Sequence, residues 1–188
     1  HSSMKSLQGE VGMLSKLGDD LYELSLADVG ALTYRKSQCD LNDLLQTSVA
    51  MYQERCNAAG LRVELRLPTG PLLLEADAKR LQQLFGNLLE NAVRYTDAGG
   101  LLLISASLED ENILVSLMDS GPGVDPQQLP RLFERFYRGE ASRSRARGGA
   151  GLGLAICHSI VLAHGGSLTA DHSPLGGLWL SLRLPRKV

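Results

Sequence analysis

The chain has 188 residues, of which 44% are hydrophobic and 21% charged, with a formal net charge of −2. That apolar share suffices for a core and excludes disorder as the main state. No window approaches the roughly 20 uninterrupted apolar residues of a membrane span, and the charge argues against a generic nucleic-acid binder. Cys39, Cys56 and Cys157 are odd in number, far apart and without metal-ligand spacing, so neither a disulfide framework nor a zinc site is expected, and a reducing compartment fits. The length allows one full domain plus a short extra element. His1, Ser2 and Ser3 ahead of Met4 read as an expression scar, so a longer natural protein is expected, and no secretory pattern opens the chain.

In residues 4–28, Leu7, Val11, Leu14, Leu17, Leu21 and Leu24 recur at spacings of three and four, which predicts a helix with one apolar stripe. Such a helix needs a partner, in this chain or another, unless it is a core helix of the same domain. Residues 40–59 form a second expected helix capped by Asp40. Residues 61–67 alternate apolar and polar, as a half-buried strand does, and 72–74 predict a short strand. Residues 77–95 carry the strongest helical pattern, with Asp77 as cap and Leu81, Leu84, Leu88, Ala92 and Tyr95 in register. Strands at 101–108 and 113–118 read as a hairpin, and 126–136 as a short helix. Residues 138–150 hold four Arg among Gly, Ser and Ala and read as a mobile loop. A helix over 151–164 and strands at 167–171 and 178–184 complete the chain. This order predicts an α+β fold, a mixed or antiparallel sheet with helices on one face.

Four polar clusters interrupt the apolar pattern. Asn87, Glu90, Asn91 and Arg94 lie three or four apart and share one helical face. Their oxygens suit a hard cation such as Mg²⁺ completed by phosphates and water, with Arg94 one turn on to meet a phosphate; a solvated helix face has the same composition. Asp119 follows a strand and precedes Gly121 and Gly123, where backbone approaches a flat ligand closely and a carboxylate accepts from an exocyclic amine such as adenine's; an ordinary turn looks the same. Leu132, Phe133, Phe136 and Tyr137 concentrate aromatic area beside the mobile loop, as a hinge anchor, a docking surface or plain core. Gly148, Gly149, Gly151 and Gly153 run into a helix whose first amides suit phosphates, with Arg143, Arg145 and Arg147 upstream. This last cluster fits neither a Rossmann fingerprint nor a P-loop.

Taken in order, Asn87 with Glu90 and Asn91, Asp119 with Gly121 and Gly123, Phe133 to Phe136, and Gly149 with Gly151, Gly153 and Leu154 resemble the N, G1, F and G2 boxes of bacterial sensor histidine kinases. The resemblance covers residues 40–185 or so. It implies a two-layer α/β sandwich shared with chaperone, gyrase and MutL ATPases, with residues 40–188 as the catalytic ATP-binding domain and 4–32 as the second helix of an incomplete dimerisation hairpin. It implies ATP and Mg²⁺ as cofactors, and Asn91 as the metal ligand with Asn87 on the phosphates. Glu90 is then the general base, Arg94 a phosphate-contacting catalytic residue, and Tyr95 stacks near the base. Asp119 binds adenine with Gly121 and Gly123 shaping its pocket. Arg138 and Arg147 belong to a lid over 138–150, and Gly151, Leu152, Gly153 and Leu154 hold phosphates. Gly176, Gly177 and Leu178 stand where the family often has Thr after its glycines. The implied partners are ATP, a response-regulator receiver domain and a second copy in the full-length protein, without nucleic acid, in the cytoplasmic portion of a bacterial inner-membrane sensor.

The family's acceptor histidine lies in a His-Glu-Leu-Arg-Thr-Pro type segment, and none of His1, His158, His164 and His172 has that context. The resemblance therefore implies a fragment that binds ATP without phosphorylating itself. Two other expectations stand beside it: an ATP-gated conformational switch of the chaperone or mismatch-repair type, and a binding module without catalysis.

Overall fold

The computed structural model describes residues 2–137 and 151–187. Its elements in chain order are α1 (Ser2–Asp28), β1 (Ser37–Asp40), α2 (Leu41–Ala58), β2 (Arg62–Arg66), β3 (Leu73–Ala76), α3 (Ala78–Tyr95), β4 (Leu101–Glu109), β5 (Asn112–Asp119), α4 (Gly153–Ala163), β6 (Ser167–His172) and β7 (Leu178–Pro185). Five strands form one sheet in the order β2-β4-β5-β7-β6. The β2–β4 pair is parallel and the other three pairs are antiparallel. The expected mixed sheet is therefore present, and α3 packs between α2 and α4 to make the second layer.

The two-residue period of the strands decides which face the helices cover. Ile113, Val115 and Leu117 of β5 are buried, as are Leu102 and Ile104 of β4 and Leu180, Leu182 and Leu184 of β7. The register sets Ile104 opposite Leu117 and Leu117 opposite Leu180, so one continuous apolar surface crosses three strands. Onto it α3 lays Leu81, Leu84, Phe85, Leu88, Leu89 and Ala92, all buried.

The start of α3 is tied down from three directions. Asp77 caps it by accepting the Arg80 N–H at 3.2 Å through Oδ1, and its Oδ2 accepts the Arg35 N–H at 2.8 Å. The Asp77 N–H in turn donates to His164 Nε2 at 3.0 Å, just past the end of α4. The other ring nitrogen lies 2.8 Å from the Ile160 carbonyl, an acceptor only, so Nδ1 carries the proton and the imidazole is neutral. His164 is thus structural, while His158 stacks on Phe133 with ring centroids 5.3 Å apart.

One expectation is corrected, and one element is new. Residues 126–136 do not form a helix. They make a 3-10 turn at Leu129–Arg131 followed by turns, because Pro130 has no N–H to continue a ladder and Phe136 takes a positive φ of 62°. The short strand β1, too brief for a period to register, was not anticipated; it pairs antiparallel with β3.

The helix at the start, α1, shows its stripe unevenly. Met4, Leu7, Val11 and Leu14 are exposed, Leu17 is partly covered, and Leu24 is buried. Its second half is held by Glu23, which pairs with Arg80 and accepts from Gln83 of α3 at 2.6 Å, and by Asp28, which pairs with Arg135. Among the described residues no helix is long and apolar enough to cross a membrane.

Burial holds the His164 pKa below its ordinary value of 6.5. The unfolded chain therefore takes up the proton first as pH falls, so the stability due to this ring is present above about 6.5 and is lost below it. Thermal unfolding across pH 5–8 should show that loss, and His164→Gln should flatten it. The same variant should lower Tm at pH 7.5 by about 2–8 °C, since an amide loses a well-placed acceptor.

Candidate functional site

A cavity of about 530 Å³ opens where the polar face of α3 meets the end of β5, the residues before α4, and α1. Asn87, Glu90, Asn91, Arg94 and Tyr95 come from α3, Asp119 and Gly123 from the β5 end, and Gly151, Leu152, Gly153 and Leu154 from the entry to α4. Of the expected residues within the described chain, all but Gly121 line this one space. The loop over 138–150, with Arg138 and Arg147, lies outside the described residues.

Asp119 ends β5 and is 6% exposed. Its Oδ1 accepts two backbone N–H groups, from Gly121 at 2.9 Å and from Leu178 at 3.0 Å. Among the described residues Oδ2 has no hydrogen-bond partner, which leaves one acceptor for whatever fills the cavity. Burial pushes the Asp119 pKa up, and the two amide hydrogen bonds oppose it. The amide of Leu178 was not foreseen, because a backbone group has no signature in the side chains.

Glycine is required behind this carboxylate. Gly121 stands behind the cavity wall with φ of 99°, and a Cβ on it would lie 2.8 Å from the Gly176 carbonyl oxygen. At Gly177 an added Cβ would lie 1.8 Å from Asp119 Oδ1 and 2.4 Å from the Gly121 nitrogen. The turn after β5 and the turn before β7 therefore touch backbone to backbone, and this contact fixes where Asp119 points.

On α3 the polar residues divide their work. Glu90 is buried, and both its oxygens are bonded to guanidinium groups: Arg55 of α2 grips Oε2 through Nη1 and Oε1 through Nη2, the latter at 2.8 Å, and Arg94 Nε lies 3.2 Å from Oε1. The expectation of Glu90 as a general base did not anticipate this double pairing, nor Arg55, which lies 35 residues away in sequence. The Asn91 side chain makes no hydrogen bond to any described residue and lines the cavity, so its carboxamide is available there. No group of three or more His, Cys, Asp or Glu side chains suited to a metal occurs among the described residues. The Asn91 carboxamide oxygen is a hard donor of the kind a divalent ion such as Mg²⁺ accepts beside phosphate and water.

The first turn of α4 has no side-chain cap and no acidic residue. Its free amides begin at Gly153 on the cavity wall, where they suit an anion. Gly151, with φ of 75°, lets the chain pass close to Phe136, whose N–H donates to the Gly151 carbonyl at 3.0 Å. The aromatic cluster is split: Tyr137 faces the cavity under Arg131, Phe133 stacks on His158, and Phe136 is exposed. On the far side α1 contributes Met13, Leu14 and Leu17 to the wall.

Residues 76–188 match the profile of the family described as histidine kinase-, DNA gyrase B- and HSP90-like ATPases. The signal transduction histidine-protein kinase BaeS of Escherichia coli K12 is 51% identical over 97% of this chain, which spans 39% of that protein. Among solved structures, the histidine kinase AdeS of Acinetobacter baumannii superposes with a TM-score of 0.81 at 28% identity, covering 97% of this chain and 83% of that one. Full-length ShkA in complex with AMPPNP superposes with a TM-score of 0.83 at 28% identity, covering 98% of this chain and 38% of that one.

The buried Asp119 charge predicts a specific pH behaviour. With its pKa raised above the ordinary 3.8, its contribution to stability is fully present below that value and is lost as pH rises through the raised one. Asp119→Asn keeps an oxygen for both backbone amides and carries no charge. Its Tm should exceed that of the wild type at pH 7, with the gap closing below about pH 4. Gly177→Ala, by contrast, should lower Tm at every pH, since its Cβ needs space that the carboxylate occupies.

Proposed function

The chain belongs to the family of histidine kinase-, DNA gyrase B- and HSP90-like ATPases, and on that premise we propose that it is the ATP-binding catalytic portion of a two-component sensor histidine kinase. The observation that carries the reading is Asp119, a buried carboxylate with one oxygen fixed by two backbone amides and the other turned to a cavity that ends at an uncapped helix N-terminus. An adenine amine placed at Oδ2 sets the phosphates toward α4, Arg94 and Asn91. The 51% identity to BaeS and the AMPPNP complex of ShkA support both the kinase class and the nucleotide.

In this reading Asp119 selects adenine, and Tyr95 flanks the base. Gly123 allows the base to approach backbone. The first amides of α4, from Gly153 on, and the guanidinium of Arg94 hold the phosphate oxygens, with Asn87 beside them. Asn91 would hold Mg²⁺, which when bound neutralises part of the phosphate charge. The terminal P–O bond of ATP breaks as a P–N bond forms to a histidine nitrogen, and the protein's part is to orient the phosphates and exclude water. Glu90 enters either as proton acceptor for that imidazole or as an anchor for Arg94, and its double ion pair favours the second.

The acceptor histidine belongs to a dimerisation hairpin of which α1 is the second helix. The stripe of Met4, Leu7, Val11 and Leu14, exposed in the single chain, is the surface such a hairpin and its second copy would cover. The assembled protein then passes the phosphoryl group to an aspartate of a response regulator, from the cytoplasmic side of a bacterial inner membrane.

Calorimetric titration of ADP with Mg²⁺ tests the pocket. The wild type should bind. Asp119→Asn should weaken binding by about 10–100-fold, because an amide whose oxygen serves the backbone turns N–H groups toward the adenine amine. A folded wild type that binds no nucleotide overturns the reading. Incubated with labelled ATP alone, the chain should incorporate no stable phosphate, and it should transfer label only when a histidine hairpin is supplied. Rapid hydrolysis of ATP without any hairpin would point to a conformational ATPase instead.

A further inference from the structure

Beside the cavity, three charged side chains from two helices form a cluster that nucleotide contact alone does not explain. Glu90 is 7% exposed, and its carboxylate is held by Arg55 through Nη1 and Nη2 and paired with Arg94 through Nε. A fork-on-fork pair of this kind fixes the plane of the carboxylate, which then fixes whatever else it binds. Arg94 pairs with Glu90 at 3.2 Å through Nε. Its two Nη groups have no hydrogen-bond partner among the described residues, and the side chain stands on the cavity wall.

Charge counting explains why two arginines serve one carboxylate. Glu90 with Arg94 alone is neutral and offers little to an anion. Arg55 brings the cluster to a net charge of +1 and does so from the outside, where its side chain is 55% exposed. The buried carboxylate keeps its compensation, and the surplus positive charge is directed through Arg94 into the cavity.

Resting on the nucleotide reading above, we propose that Arg55 and Glu90 are positioning residues that aim the free edge of Arg94 at the phosphates of the bound nucleotide. Arg55 touches no ligand. It acts through Glu90, and Glu90 through Arg94. The arrangement also accounts for Glu90 without a proton-transfer role, since each of its oxygens is already engaged.

The test uses the chain as it is, with direct titration of ATP and ADP and with adenosine read by its competition against ADP. Arg55→Met keeps the packing of an exposed stem and removes the charge. It should weaken ATP and ADP by about tenfold and leave adenosine within about twofold, because only the phosphates meet Arg94. Arg55→Lys should recover part of the loss, and in an Arg94→Ala background Arg55→Met should add nothing further. Equal weakening of adenosine, or a full loss that persists without Arg94, would assign Arg55 a purely structural role and overturn the proposal. Unchanged ATP affinity combined with slower transfer to a supplied histidine hairpin would also overturn it, in favour of Glu90 as the base. A wild type that binds neither ATP nor ADP would instead bring down the nucleotide reading itself.

Discussion

One helix has to satisfy two environments at once, and the architecture follows from that. Leu81, Leu84, Phe85, Leu88, Leu89 and Ala92 commit α3 to the apolar sheet face, while Asn87, Glu90, Asn91 and Arg94 must emerge into the cavity. At 3.6 residues per turn these sets are separated by only part of the helix circumference, so a small rotation of α3 would bury charge or expose core. Rotation is prevented at the start of the helix. Asp77 binds Arg80, Arg35 and, through its own amide, His164. Because His164 closes α4, the same contact sets the far end of α4, whose near end delivers amides to the cavity. The cap on one helix thus places the uncapped, cavity-lining end of another.

Two buried carboxylates in this small volume are compensated differently, and the difference matches what each faces. Asp119 is held by backbone amides, which carry no net charge, so its own charge remains to be met by a donor from the cavity. Glu90 is held by two guanidinium groups, so its charge is already overbalanced and the excess is positive. One end of the cavity is therefore an acceptor for a neutral polar donor and the other an attractor for an anion. A molecule with an amine at one end and phosphates at the other is matched by that polarity.

Much of this was legible in the residues. The periods of α2 and α3, their caps Asp40 and Asp77, the alternation of β2, the hairpin of β4 and β5, and a mixed or antiparallel sheet with helices on one face all follow from side-chain pattern, because each element has one wet and one dry face. The cavity residues were legible as polar interruptions of those patterns, and α3, β5 and α4 bring them to one place. What escaped was of two kinds. Leu178 contributes a backbone amide and Arg55 a contact across 35 residues, and neither leaves a periodic trace. The segment 126–136 has helical-looking apolar spacing, but Pro130 cannot complete the ladder that the spacing implies.

The contact between the two glycine turns has a consequence for how this sequence can change. A side chain at 177 would occupy the volume of Asp119 Oδ1, and one at 121 would meet the backbone of 176. Positions 119, 121, 176 and 177 therefore cannot drift one at a time. Shortening the carboxylate would remove only one of these clashes, because a Cβ at 177 would still lie 2.4 Å from the Gly121 nitrogen, so a longer residue on either turn needs the two backbones to move apart, and that movement displaces Asp119. Mutational routes that would retune the Asp119 end of the cavity run through a valley, whereas the wall made by Met13, Leu14 and Leu17 of α1 meets no such contact among the described residues and is open to stepwise change.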